Sequence, residues 1–315
     1  MRYQHIFGPV PSRRLGISLG IDPIPFKTCT YNCVYCECGA TTNLTTDREE
    51  YIPVKVIIAE LKDYLDANPK LDYITFSGSG EPTLNTGIEE IIDFLKENYP
   101  QYKIAVLTNG SLLYQKEVRD EIIRADLVMP SLDAVSAQAF RRINRAYIGL
   151  EIQKIISGLI EFRKEFKGKI WLEIFIVPGI NDTDSEMKLL REAIMKINPT
   201  HVQINSLDRP GTENWVKPIN SVSLKKVVSY FKDLPVEMIT NFKSREKIAS
   251  FNHNIEDKII TTIKRRPCTA EDLSETLGIH INEINKYLQA LLERERIESM
   301  YLKRGVFFKT TKDNN

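Results

Sequence analysis

Five cysteines occur in this 315-residue chain, and four of them, Cys29, Cys33, Cys36 and Cys38, fall between positions 29 and 38. An odd, clustered set argues for metal ligation or redox chemistry over a disulfide framework. Cys29, Cys33 and Cys36 have the spacing C-x3-C-x2-C. Three thiolates this close can each hold one iron of a cubane cluster, which leaves the fourth iron without a protein ligand; soft thiolates select zinc, Cu(I) or iron–sulfur groups. A structural zinc would ask for a fourth ligand. Cys38 stands only two residues after Cys36, where joint ligation is cramped, so it reads as a spare thiol beside the site. On spacing alone, zinc and no metal both stay open.

The residues that must position these thiols alternate between two periods. Residues 72–76, 103–107, 127–129, 170–177, 201–204 and 236–239 are short, apolar and β-branched, and most run into Gly, Asn, Pro or Ser. Between them lie amphipathic stretches at helical spacing, such as 54–65, 88–95, 150–162 and 187–197. Strands alternating with helices imply parallel βαβ units. The expected fold is α/β, a partial parallel barrel of six βα units beginning near Ile17. Its site would gather at the C-terminal ends of the strands.

Several motifs then fall in a familiar order. The cysteine triad with Tyr35 before its last member resembles the signature of the radical S-adenosylmethionine (SAM) superfamily. Gly78, Ser79, Gly80, Glu81 and Pro82 resemble that superfamily's glycine-rich segment after the second strand, which holds the SAM amino group. Ser131, Leu132 and Asp133 resemble the ribose-binding segment after the fourth strand. Residues 177–182, with Ile180, resemble the turn near the adenine, and the resemblance covers roughly residues 17–245. It implies a [4Fe-4S] cluster on Cys29, Cys33 and Cys36, with SAM as the second cofactor. Tyr35, Gly78, Ser79, Gly80, Glu81, Asn109, Ser131, Asp133 and Ile180 would then bind SAM. It further implies an electron donor such as flavodoxin or ferredoxin, and reductive cleavage of SAM to a radical that abstracts hydrogen from a substrate under anaerobic conditions. Ser131 and Asp133 also suit plain helix capping, and Asn109 with Gly110 suits a plain turn. Glu173 departs from the basic residue found at that point in the activating enzymes of glycyl-radical proteins. The resemblance therefore names no partner for the SAM carboxylate.

The opening residues 7–16 and the segment 206–211 are similar to a wyosine-synthetase-like branch that modifies transfer RNA. Those enzymes hold a second cluster, and only Cys38 and Cys268 remain here to supply one. Arg13, Arg14, Asp208 and Arg209 are expected near the barrel mouth, either meeting an anionic substrate or fixing the N-terminal arm by ion pairs.

The character changes near residue 250, so the expected division is a core with N-terminal arm over 1–250, a second domain over 251–310 and a tail over 311–315. Helical patterns at 255–263, 269–277 and 281–294 precede a hairpin pattern over 297–308, which resembles a winged helix-turn-helix. Thr269 with Asp272 reads as a near capping box. Residues 252–315 carry 11 Lys plus Arg against 10 Asp plus Glu. Helix 281–294 is expected to expose Asn282, Glu283, Asn285, Lys286 and Gln289. A DNA-reading domain would be more basic, so docking of a peptide, protein or RNA substrate is the preferred expectation. An iron–sulfur transcription regulator is the less favoured alternative.

The whole chain carries 43 Lys plus Arg and 42 Asp plus Glu, a formal net charge of +1. That excludes a general polycation coating nucleic acid. Its 42% hydrophobic and 27% charged residues suit a folded domain. No apolar run approaches the roughly 20 residues of a membrane helix, and the first residues show no signal-peptide pattern. The expectation is a cytoplasmic protein without membrane partners.

Overall fold

The computed structural model describes residues 3–12, 14–207, 211–238, 253–265, 267–302 and 305–311. Arg13, Asp208 and Arg209, expected at the barrel mouth, lie outside the described residues, as do residues 312–315 of the tail and the expected boundary near 250.

Along the chain, β1 (Ile6–Ser12) and β2 (Gly16–Ile21) form an antiparallel pair. The two-residue strands β3 (Thr28–Cys29) and β4 (Asn43–Leu44) then pair with each other. After these come α1 (Val54–Leu65), β5 (Tyr73–Phe76), α2 (Ile88–Asn98), β6 (Lys103–Thr108), α3 (Lys116–Glu121) and β7 (Leu127–Pro130). The series continues through α4 (Ala137–Ile143), α5 (Ile152–Glu165), β8 (Lys169–Ile176), α6 (Asp184–Ile197), β9 (His201–Ser206), α7 (Ser221–Ser229) and β10 (Val236–Met238).

The main sheet has eight strands in the order β1-β2-β5-β6-β7-β8-β9-β10, and every pair except β1–β2 is parallel. The six expected units are β2 and β5 to β9. The strand β10 extends them at one edge and β1 at the other.

The sequence explains these elements locally. Central strands of a parallel sheet are covered on both faces and so are apolar throughout; all four residues of β7 are buried. The helices bury one stripe, as in α1, where Val54, Ile57, Leu61 and Leu65 face the sheet. Thr183 caps α6 by accepting from the Glu186 amide, and Ser136 caps α4 by accepting from Ala139. Neither Ser131 nor Asp133 caps a helix.

A separate apolar core holds the C-terminal unit together, built from α8 (His253–Arg265), α9 (Ala270–Leu277), α10 (Ile281–Glu293) and the antiparallel hairpin β11 (Ile297–Leu302) and β12 (Gly305–Thr310). The capping box of Thr269 and Asp272 is present. Cys268 is buried in this core and bridges to Phe308. Among the described residues no helix is long and apolar enough to cross a membrane.

The expectation that α10 offers a polar face to solvent is corrected. Asn285 and Gln289 are buried, and Asn282, Glu283 and Lys286 are half-buried. The start of α10 packs against β1 and the end of β5 instead. Two of its polar side chains are met there: Asn282 Nδ2 donates to Ser77 O at 3.4 Å and Glu283 accepts from the Gly8 amide.

Candidate functional site

The cysteine loop is clamped from two sides. Register pairs Thr28 with Asn43 and Cys29 with Leu44 close its base. On the other side the loop after α4 holds it by the main chain: Val34 N donates to Ile143 O at 2.9 Å, Asn32 N to Asn144 O at 3.0 Å and Tyr147 N to Thr30 O at 2.9 Å.

Each of the three cysteine sulfurs accepts from a different side chain. Asn109 Nδ2 lies 3.6 Å from Cys29 Sγ, Asn144 Nδ2 lies 3.6 Å from Cys33 Sγ, and Lys27 Nζ lies 3.1 Å from Cys36 Sγ. Lys27 is 2% exposed and holds a left-handed backbone with φ 58°, a conformation few lysines adopt. Burial works against its charge, but the thiols of Cys36, Cys38 and Cys29 hold its pKa above the ordinary lysine value.

The thiols differ in kind. A hydrogen bond from Cys38, helped by the Lys27 ammonium, brings Cys36 down to about 5 against the effect of burial. Burial, then the charge of Glu81, pushes Cys29 up to about 12. Burial and Asp133 push Cys33 up as well. Buried thiols of this kind give up their protons when a metal replaces them. Among the described residues no three His, Cys, Asp or Glu side chains are gathered to hold one metal ion. Three soft sulfurs on one short loop are the donor type that iron–sulfur groups and zinc take.

The glycine-rich segment is pressed onto this loop. A Cβ on Gly80 would lie 1.9 Å from Thr28 O, and one on Gly78 would lie 2.0 Å from Asp22 Oδ1. Only glycine allows so close an approach. Ser79 donates through its amide and its hydroxyl to Asp22 Oδ2, at 3.1 and 3.0 Å. Asp22 Oδ1 is buried and has no hydrogen-bond partner.

In two of the predicted cofactor ligands the carboxylate oxygens accept hydrogen bonds from the chain's own groups. Glu81 Oε1 accepts from Thr83 Oγ1 and Thr108 Oγ1, both at 2.6 Å, and its Oε2 accepts from Asn109 N at 2.7 Å. Asp133 Oδ2 accepts from Tyr35 Oη at 2.6 Å and Asn144 Nδ2 at 2.7 Å, while its Oδ1 accepts from Phe175 N at 2.9 Å. Both carboxylates are buried, and burial raises both pKa values. Asn109 links Glu81 to the cysteine loop, since its Nδ2 also donates to Thr30 Oγ1 at 2.7 Å. Ser131 continues the end of β7 and bridges to Glu173. Ile180 is buried in a turn that Asn181 ties down, donating to Asp133 O at 2.8 Å and Phe175 O at 2.7 Å.

A cavity of about 310 Å³ opens at the strand ends, and its lining includes Tyr35, Cys36, Gly78, Glu173, Phe175 and Asn282. Tyr35 stacks on Phe175 with centroids 3.8 Å apart and planes 8° apart. Arg14 bonds Glu173 across the cavity wall. Of the predicted site residues, Tyr35, Cys36 and Gly78 line this cavity; Cys29, Cys33, Ser79, Gly80, Glu81, Asn109, Ser131, Asp133 and Ile180 do not, and Ser79 lines a neighbouring cavity with Asp22 and His280.

Sequence reasoning missed Lys27, Asn144, Asp22 and His280. His280 Nε2 lies 3.1 Å from Asp22 Oδ2, and its ring stacks on Phe7 at 4.3 Å. Lys27 carries a usable signal, a cation two residues before the first cysteine. Asn144 and His280 carry none, because they arrive from distant elements.

The model of the family described as "Radical SAM superfamily" matches residues 24–191. A UPF0026 protein of Methanocaldococcus jannaschii is 34% identical over 289 residues, which cover 89% of each chain. A Brachyspira hyodysenteriae protein named GTPase Obg is 37% identical over 298 residues; the chain spans 44% of that protein's length. Among solved structures, a radical SAM methyltransferase from Sphaerobacter thermophilus shares the fold with a TM-score of 0.52 at 18% identity, over 70% of this chain and 66% of that one.

Proposed function

The chain belongs to the radical SAM superfamily, and from that premise we propose that it is an enzyme built on one [4Fe-4S] cluster held by Cys29, Cys33 and Cys36. The observation that carries this reading is the triad itself: three sulfurs, each with its own N–H donor, of which Cys36 lines a cavity at the C-terminal ends of parallel strands. When bound, the cluster and SAM supply a 5′-deoxyadenosyl radical that abstracts hydrogen from substrate, chemistry that belongs to the cofactors.

The chain's own residues do the positioning. Lys27, Asn109 and Asn144 offset negative charge on the sulfurs, a recognised determinant of cluster potential. Asp22 Oδ1, buried without a partner beneath Gly78, fits the SAM amino group, since an orphaned carboxylate oxygen is costly until a donor meets it. Arg14, oriented by Glu173, brings a guanidinium to the cavity wall where a carboxylate can meet it. Tyr35 on Phe175 offers the adenine a flat wall. Glu81 and Asp133 act through the groups they brace.

We read the three helices and hairpin of the C-terminal unit as a winged helix. Its α10 borders the cavity through Asn282, Asn285 and Lys286, which supports a role in admitting a peptide, protein or RNA substrate. A duplex-reading regulator would need that face of α10 free, and here it is packed on the core.

Anaerobic reconstitution should give about four irons per chain, as a three-thiolate cubane requires. Dithionite and SAM should then yield methionine and 5′-deoxyadenosine. A tetrahedral zinc with no SAM cleavage would overturn the reading.

A further inference from the structure

We propose that the surface formed by the end of α4 and the loop joining it to α5 is the docking face for the reductant, an acidic one-electron carrier protein with an exposed redox group. The inference rests on the reading that Cys29, Cys33 and Cys36 hold a redox cluster.

Three observations meet on this face. First, it lies directly over the cysteine loop. Three main-chain hydrogen bonds join Ile143, Asn144 and Tyr147 to the loop, and buried Asn144 reaches Cys33 Sγ through its side chain. One layer of residues thus separates the outer surface from a cluster ligand. Second, the face carries an apolar tip. Ile148 is 88% exposed, the highest value among the exposed large apolar side chains described, and it stands beside a cavity of about 630 Å³. A docked partner would cover this aliphatic tip and remove its apolar area from water. Third, the surrounding charge is positive. Arg141, Arg142 and Lys154 are exposed, against one exposed acidic neighbour, Glu151. No ion pair engages Arg141 or Arg142 among the described residues, whereas Arg145 is paired with Glu213 at 2.5 Å. The chain as a whole is nearly neutral, so this bias is local. Charge complementarity of this kind accelerates encounter with an acidic partner and fades with salt.

The barrel mouth is the other approach to the cysteines, but the N-terminal arm and α10 line it. A carrier protein docked there would obstruct substrate entry. The outer face leaves the two traffic routes separate.

The test uses the reconstituted full chain and photoreduced flavodoxin, with cluster reduction followed anaerobically by stopped-flow absorbance and by electron paramagnetic resonance. Iron content and the oxidised spectrum, recorded first, report on the cluster reading independently. The double variant Arg141→Glu/Arg142→Glu should be reduced by flavodoxin at least tenfold more slowly at low salt, with the difference shrinking as salt rises. Reduction by dithionite, which needs no docking, should be unchanged. Arg141→Lys/Arg142→Lys should retain most of the rate. Ile148→Ser, which alters no charge, should slow flavodoxin reduction at every salt concentration. Flavodoxin rates in the charge-reversed and Ile148 variants equal to that of the unaltered chain would overturn the proposal.

Discussion

Lys27 Nζ donates to Cys36 Sγ at 3.1 Å from a side chain that is 2% exposed. A buried ammonium beside a thiolate ligand favours whichever state of a bound cluster carries more negative charge, which is the reduced one. The other two sulfurs meet neutral amides, so this contact is the strongest electrostatic contribution among the three.

Replacing Lys27 with Met should therefore lower the midpoint potential of the reconstituted cluster. A differential contribution of about 1.4 kcal/mol corresponds to about 60 mV for one electron, and a shift of that order is expected in an anaerobic redox titration. Lys27→Arg should recover part of it. An unchanged potential in Lys27→Met would show that the contact does not reach the cluster.

The ligand assignment separates Cys38 from its neighbours. Alanine at Cys29, Cys33 or Cys36 should abolish bound iron, while Cys38→Ala should keep it. Cys38→Ala also removes the hydrogen bond that favours the Cys36 thiolate, so slower assembly at the same final iron content is expected. Iron analysis after reconstitution checks both; loss of iron in the Cys38 variant would mean the wrong triad was named.

Gly80→Ala tests the contact between the glycine-rich segment and the cysteine loop. Its Cβ would fall 1.9 Å from a main-chain carbonyl that cannot swing aside like a side chain. A stability loss of about 1–3 kcal/mol is expected from the forced shift, together with reduced iron occupancy. Thermal unfolding and iron content measured on the same sample distinguish local distortion from global unfolding.

The C-terminal unit is latched through His280. His280→Ala removes a hydrogen bond to Asp22 and a ring stack on Phe7, together worth about 1–2 kcal/mol. Faster amide exchange in the first turn of α10 should follow, with the strands of the sheet unaffected. Deleting residues 252–315 should leave cluster assembly and uncoupled SAM cleavage in place while turnover of substrate falls. Full turnover in the truncated chain would remove the unit from any part in substrate handling.

Much of the architecture was legible in the chain alone. The alternation of short apolar runs with amphipathic stretches determined the parallel α/β order, because a covered parallel strand and a one-faced helix demand different periods. The cysteine spacing, the glycine-rich segment and the capping box of α9 were equally readable, since each is a local pattern of a few residues. Tertiary structure alone decided the rest. Glu81 and Asp133 look like ligands in sequence; that both are buried and accept from three or four donors each is visible only in the fold. Asn144, His280 and Arg14 act on residues 111, 258 and 159 positions away, at separations no local pattern encodes. The polar face of α10 reads as solvent-facing because helical periodicity records polarity, not what covers it. Whether such a face meets water or another domain depends on where the chain returns, and that is settled only by packing.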